Sequence, residues 1–162
     1  IEIIIKLWKE SKIKNFVVYT NIDIFNNYLK NNKKKISINL INNKIFSKKI
    51  KLENNLNIFS FNASNKIENV ISSLKYSYIY TKKFNFKGLL TLPLNKEKII
   101  KNNYKNFIGH TEYLEKKDKK NISNMMFVKN NIIFSTITTH IKLNKVALKL
   151  KSKDFLIRKL KC

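Results

Sequence analysis

Apolar positions along the chain change their spacing several times, and each change marks an element. EIIIKLWKES (Glu2 to Ser11) has the period of an amphipathic helix already under way. FVVYT (Phe16 to Thr20) is a short apolar run of strand length, and Ile22, Phe25 and Leu29 then return to helical spacing over Asn21 to Asn32. ISINLI (Ile36 to Ile41) alternates as a half-buried strand does, while Asn42 to Asn55 follows neither period. LNIFSF (Leu56 to Phe61) is the next strand. Ser64 is placed to cap a helix whose stripe is Ile67, Val70, Ile71, Leu74 and Tyr78, running to about Lys82. The tyrosines of that helix are read as core and rim, not as a stacking platform.

GLLTLPL (Gly88 to Leu94) is expected to be a buried strand stopped by Pro93, which has no N–H to give a ladder. Asn95 caps a short helix, KEKIIKN, and Gly109-His110-Thr111 leads into the helix EYLEKKDKK. MMFV (Met125 to Val128) and IIFSTITT (Ile132 to Thr139) read as strands joined by a two-residue turn at Asn130-Asn131. NKVALKLKSKDFLIRKLKC gives a helical turn and a helix capped at Ser152. Strands alternating with helices, with no repeat and no Gly/Ser linker, predict an α/β fold with a parallel or mixed sheet flanked by helices, in one domain.

Composition narrows this picture. A chain of 162 residues with 43% hydrophobic residues is long enough for a real core. No apolar run approaches the roughly 20 residues that span a bilayer, and no secretory leader pattern opens the sequence. One cysteine, Cys162, forms no internal disulfide and fits a cytoplasmic location. The net charge of +24 raises the question of nucleic acid. Yet Arg158 is the only arginine among the 34 basic residues, and the lysines are spread along the whole chain. Nucleic-acid readers favour the arginine fork and cluster their charge. Excess Lys, Asn, Ile and Phe with scarce Gly, Pro and Ala is what AT-rich coding produces, so the charge is assigned to solvated faces, with a basic nucleic-acid-binding module as the alternative reading.

Candidate chemistry concentrates between Gly88 and His140, which holds both histidines, both glycines and the one proline. Thr91 with Asn95 and Lys96, His110 with Thr111, and His140 fall at expected strand ends or helix starts, where open α/β sheets bind ligands. Histidine is a common metal ligand and acid–base group, and a helix N-terminus after Gly109 presents N–H groups to an anion such as phosphate. A lone histidine at a strand end is usually only a hydrogen-bonded surface residue. Chemistry alone therefore stops at a phosphate or metal site.

Three segments together, TLPLNK (Thr91 to Lys96), FIGHTEYLE (Phe107 to Glu115) and TTHIKL (Thr138 to Leu143), closely resemble the 4-hydroxythreonine-4-phosphate dehydrogenase family of vitamin B6 biosynthesis. They occur in the family's order, and the 30 positions from His110 to His140 (140 − 110) are close to its spacing. The resemblance implies NAD-dependent oxidation of 4-phosphooxy-L-threonine, then decarboxylation to 3-amino-2-oxopropyl phosphate. It implies a divalent metal (zinc, magnesium or cobalt) and a homodimer with a shared active site. The implied fold is that of the isocitrate and isopropylmalate dehydrogenases, which needs no G-x-G-x-x-G fingerprint. His110 and Thr111 match the family's substrate-contacting pair, and His140 matches the first of three metal-binding histidines. Lys142 replaces a proline of the third motif and Ile108 a Pro or Thr of the second. The family's later motifs, with the other two histidines, are not in the sequence, and IEIIIKL resembles the tail of its glycine-rich opening. The expectation is thus a partial dehydrogenase domain, truncated at both ends and inactive by itself, either a fragment or a remnant.

Overall fold

A computed structural model describes residues 1–10, 15–41, 55–118 and 123–160. The expected irregular stretch Asn42 to Asn55 falls almost wholly outside these residues, as does Cys162. The chain divides into two compact units, Ile1–Lys105 and Asn106–Cys162.

The first unit is built on a parallel three-stranded sheet. Its strands are β1 (Val17–Tyr19), β2 (Ile38–Ile41) and β3 (Leu56–Phe59), in the order β1-β3-β2. Val18 lies opposite Ile58, and Leu40 pairs with the same residue from the other side. The central strand is buried at all four positions, as a strand covered on both faces must be. Side-chain alternation sends Val18, Leu56 and Ile58 to a cluster with Ile5 and Trp8 of α1 (Glu2–Glu10) and Phe25 of α2 (Ile22–Asn31). Phe59 faces the opposite way, with Ile41, Phe61, Tyr19, Tyr76 and Tyr80. The last two come from α3 (Lys66–Lys83), so its tyrosines are core and rim, as their spacing suggests. Asn57 shares that fully buried strand, and its Oδ1 accepts from Asn39 Nδ2 at 2.8 Å.

Asparagine starts the helices here. Asn21 accepts from the Ile24 N–H, and its amide donates to the Phe61 carbonyl at 3.1 Å. Asn65 accepts from the Ile67 and Glu68 N–H groups, so it, and not Ser64, caps α3. Ser64 instead donates its backbone N–H and its hydroxyl to the Glu68 carboxylate. This return bond satisfies the entry to the helix from the other side and holds Glu68 below the usual carboxylate range.

Gly88 to Leu94 does not form the expected strand. The segment is irregular, and Leu90 is 76% exposed. Pro93 cannot donate to a ladder, and Gly88 adds no side chain to pack. The segment ends at Asn95, which caps α4 (Lys96–Lys101) by accepting from the Lys98 N–H.

The second unit contains α5 (His110–Asp118), then β4 (Met125–Lys129) and β5 (Ile132–Thr136). A 3₁₀ turn, Leu143–Lys145, then leads to α6 (Val146–Leu150) and α7 (Lys153–Leu160). β4 and β5 form an antiparallel hairpin closed through Asn130-Asn131, with Lys129 opposite Ile132. Asn130 turns at φ 53, a conformation asparagine tolerates better than most residues. β5 stops three residues before the expected Thr139. The α/β class stands, but the described parallel and antiparallel pairings occupy separate sheets and not one mixed sheet.

Candidate functional site

Gly109, His110 and Thr111 form the start of α5. The Gly109 carbonyl accepts the Tyr113 N–H at 3.0 Å, which makes Gly109 the cap residue. Unlike the asparagines before α2, α3 and α4, glycine brings no side-chain acceptor to the first turn. That end of the helix is therefore chemically suited to an incoming anionic or carbonyl group. Gly109 is buried, His110 is half-buried and Thr111 is exposed. Gly109 does not use a positive φ. Phe107 anchors the approach: it is buried, with its ring 6.1 Å from Tyr113 one turn into the helix. On α5 itself, Glu115 accepts from the Ser123 hydroxyl at 2.8 Å. Lys159 of α7 donates to the Ser123 carbonyl at 2.5 Å, and Asn124 donates to the Lys159 carbonyl. The same unit thus ties α5, the hairpin entrance and α7 together.

His140 does not end a strand. It lies four residues beyond β5, exposed, in the left-handed region at φ 55. A histidine held there costs backbone energy that an extended residue would not, and the spacing of apolar residues carries no trace of it. Thr136, at the last pair of the hairpin, has a buried hydroxyl without a hydrogen-bond partner, as does Asn124 at its Oδ1.

Among the described residues no group of three His, Cys, Asp or Glu side chains gathers to hold a metal ion. The described residues supply one imidazole at His140, which falls short of the complement a zinc or magnesium site requires. Thr91 and Lys96 belong to the first unit, where Lys96 opens a capped helix of six residues. A shallow groove of about 220 Å³ in that unit is lined by Glu2, Ile5, Lys6, Lys9, Glu10 and Lys34. It includes none of the motif residues, its charges are mixed, and it is smaller than ordinary ligand pockets of roughly 300–1,000 Å³.

A family model described as pyridoxal phosphate biosynthetic protein PdxA matches residues 12–161. The chain belongs to the PdxA family. Membership ties it to vitamin B6 biosynthesis and to a family of dehydrogenases, in agreement with the three motifs. No curated protein matches the chain. In PdxA terms, the segment that opens α5 and the loop holding His140 are both carried by the second unit. Among the described residues no helix is long and apolar enough to cross a membrane.

Proposed function

We propose that this PdxA-family chain takes part in NAD-dependent oxidation of 4-phosphooxy-L-threonine. In this reading the carbinol carbon gives a hydride to NAD, the hydroxyl loses its proton, and the resulting β-keto acid loses carbon dioxide. Protonation of the remaining carbanion equivalent yields 3-amino-2-oxopropyl phosphate. His110 and Thr111 hold the substrate, and His140 supplies one imidazole toward a divalent metal whose further ligands lie outside the described residues. The chain forms part of a dehydrogenase domain of the isocitrate/isopropylmalate type and works as a homodimer.

The observation that supports this reading best is the start of α5. A family motif falls on a helix N-terminus whose cap residue has no side chain to occupy the first turn. A half-buried imidazole and an exposed threonine hydroxyl stand on the first two helical residues. Together they offer donors to a polar, phosphorylated substrate, and the helix end favours negative charge.

The test is NADH formation from 4-phosphooxy-L-threonine by the natural full-length protein with added magnesium or zinc. His110→Ala should lower kcat/KM by about 10²-fold or more, as loss of a substrate-contacting group does. His140→Ala should lower activity and shift the metal concentration needed for half-maximal rate upward. Unchanged rates in His140→Ala would remove its metal role, and no NADH from the unmodified protein would remove the reaction itself.

A further inference from the structure

We propose that residues 141–157 form a peripheral membrane-binding surface. It lays exposed leucines among anionic lipid headgroups and is held there by a row of lysines.

Charge gives the first observation. Between Asp118 and Asp154 the sequence carries no acidic residue over 35 positions (154 − 118 − 1). Lys142, Lys145, Lys149, Lys151 and Lys153 crowd the end of that stretch. All five are exposed, and among the described residues none of them is in an ion pair. Lysines of the first unit are set differently. α1 also leaves Ile3 and Leu7 exposed, but its lysines stand between Glu2 and Glu10, and Lys34 reaches Glu2 at 4.0 Å.

Apolar exposure gives the second. The 3₁₀ turn and α6 follow one another without a break from Leu143 to Leu150, and neither contains a buried residue. Leu143, Val146, Ala147 and Leu150 recur at the i, i+3, i+4, i+7 spacing of one helix face. Lys142, Lys145 and Lys149 recur on the other flank. The apolar face is largely open. Leu143 is 88% exposed, more than any other large hydrophobic side chain among the described residues, and Leu148 is 69% exposed. Ile141 and Ile157 extend the open apolar surface on either side.

The chemistry of the surface selects its partner. Leucines and cations interleaved on a short helix suit the boundary between water and hydrocarbon. Such a helix lies in the plane of the boundary, its leucines below the headgroups and its ammonium groups at their phosphates. An anionic bilayer attracts each lysine that comes within about a Debye length of it. RNA would meet the lysines but leave the leucines in water, because single-strand readers rely on stacked aromatic rings and on arginine. The one aromatic ring of the segment, Phe155, is half-buried with Lys149 Nζ 5.2 Å over it. The contact is peripheral, since no described helix is long and apolar enough to cross a membrane.

Cosedimentation of the full chain with vesicles tests this, using phosphatidylserine and phosphatidylcholine in equal parts against phosphatidylcholine alone. The mixed vesicles should bind at least about tenfold more tightly. Lys142→Gln, Lys145→Gln and Lys149→Gln together should weaken that binding at least about tenfold. Lys33→Gln, Lys34→Gln and Lys35→Gln together make the same change of charge in the first unit and should leave it nearly unaltered. Leu143→Ser with Leu148→Ser should also cost about tenfold, with circular dichroism unchanged because both side chains are already exposed. A second measurement does not depend on those variants. In a Cys162→Ser background, a polarity-sensitive dye on Leu143→Cys should shift to the blue on the mixed vesicles, and the same dye on Ile79→Cys of α3 should not. Equal weakening by the two lysine triples would overturn the proposal, because the net charge alone would then be adsorbing. Binding that is indifferent to the two leucines and brings no dye shift would overturn it as well. Tighter binding to single-stranded RNA than to the mixed vesicles would do the same and give the surface to nucleic acid.

Discussion

The two units solve the same problem with opposite results. In the first, a three-stranded sheet lies between helices, and its central strand is shielded along its whole length. In the second, a sheet of comparable apolarity has two strands, and its hydrophobic side chains face water. Composition is therefore not what separates covered from bare surface; the number of neighbours is. Strand sequences alike in charge and hydropathy end up at 0% exposure in β3 and at 55–68% at Ile132, Ile133 and Phe134 of β5, because one has two flanking strands and helices on both faces.

The sharpest way to break this comparison is to remove the same side chain from both sheets. Phe59→Ala, at a fully buried position of β3, should cost about 3–5 kcal/mol by urea unfolding. Phe134→Ala, measured in dilute protein, should fall within about 0.5 kcal/mol of the unmodified chain. Equal losses would mean that the hairpin is packed far more closely than its exposure indicates.

Smaller effects test the first unit's interior. Tyr19 stacks on Tyr80 at 6.2 Å, and its hydroxyl is buried without a partner. Burial, and secondarily Tyr80, holds that phenol in its neutral form well above its ordinary value of 10.0. A group with a raised folded pKa adds stability that is present below the unfolded value and is lost as pH climbs through the folded one. The first unit should therefore weaken from about pH 10 upward. Tyr19→Phe should flatten that alkaline limb and raise stability by about 1 kcal/mol by removing the unpaired hydroxyl. A variant with an unchanged alkaline limb would assign the loss to other tyrosines.

Least of all is Glu68, which is lowered from its ordinary 4.5 chiefly by the Ser64 hydroxyl and then by the Ser64 backbone N–H. Its contribution is present above 4.5 and is lost as pH falls through the lowered value. Glu68→Gln should therefore lower stability slightly at neutral pH and leave the acid end nearly untouched, so that the profile flattens, which a thermal melt series from pH 3 to 7 would register.

Much of this architecture is legible from periodicity. The helical spacing of Ile22, Phe25 and Leu29, and the paired runs around Asn130-Asn131, each correspond to an element. What escaped has identifiable causes. Gly88 to Leu94 has strand-like apolarity, but pairing requires donors and neighbours that a hydropathy pattern does not count. Ser64 and Asn65 are adjacent and both competent to cap; the choice went to the residue whose oxygen reaches two N–H groups. His110 and Thr111 were legible as a helix start because a glycine precedes them. The left-handed backbone of His140 was not, since histidine gives no sign of that conformation in sequence.

The residues that turn the described chain through positive φ are Lys33, Asn85, Asn103, Asn130 and His140, and no glycine is among them. Three are asparagines, in a protein with two glycines in all. Asparagine codons are rich in A and T where glycine codons are rich in G. A gene drifting toward A and T can thus keep its corners by exchanging one left-handed residue for another. The exchange leaves some conformational strain behind at each corner, and those corners are where a thermostabilised form of this fold would be easiest to make, one Asn→Gly at a time.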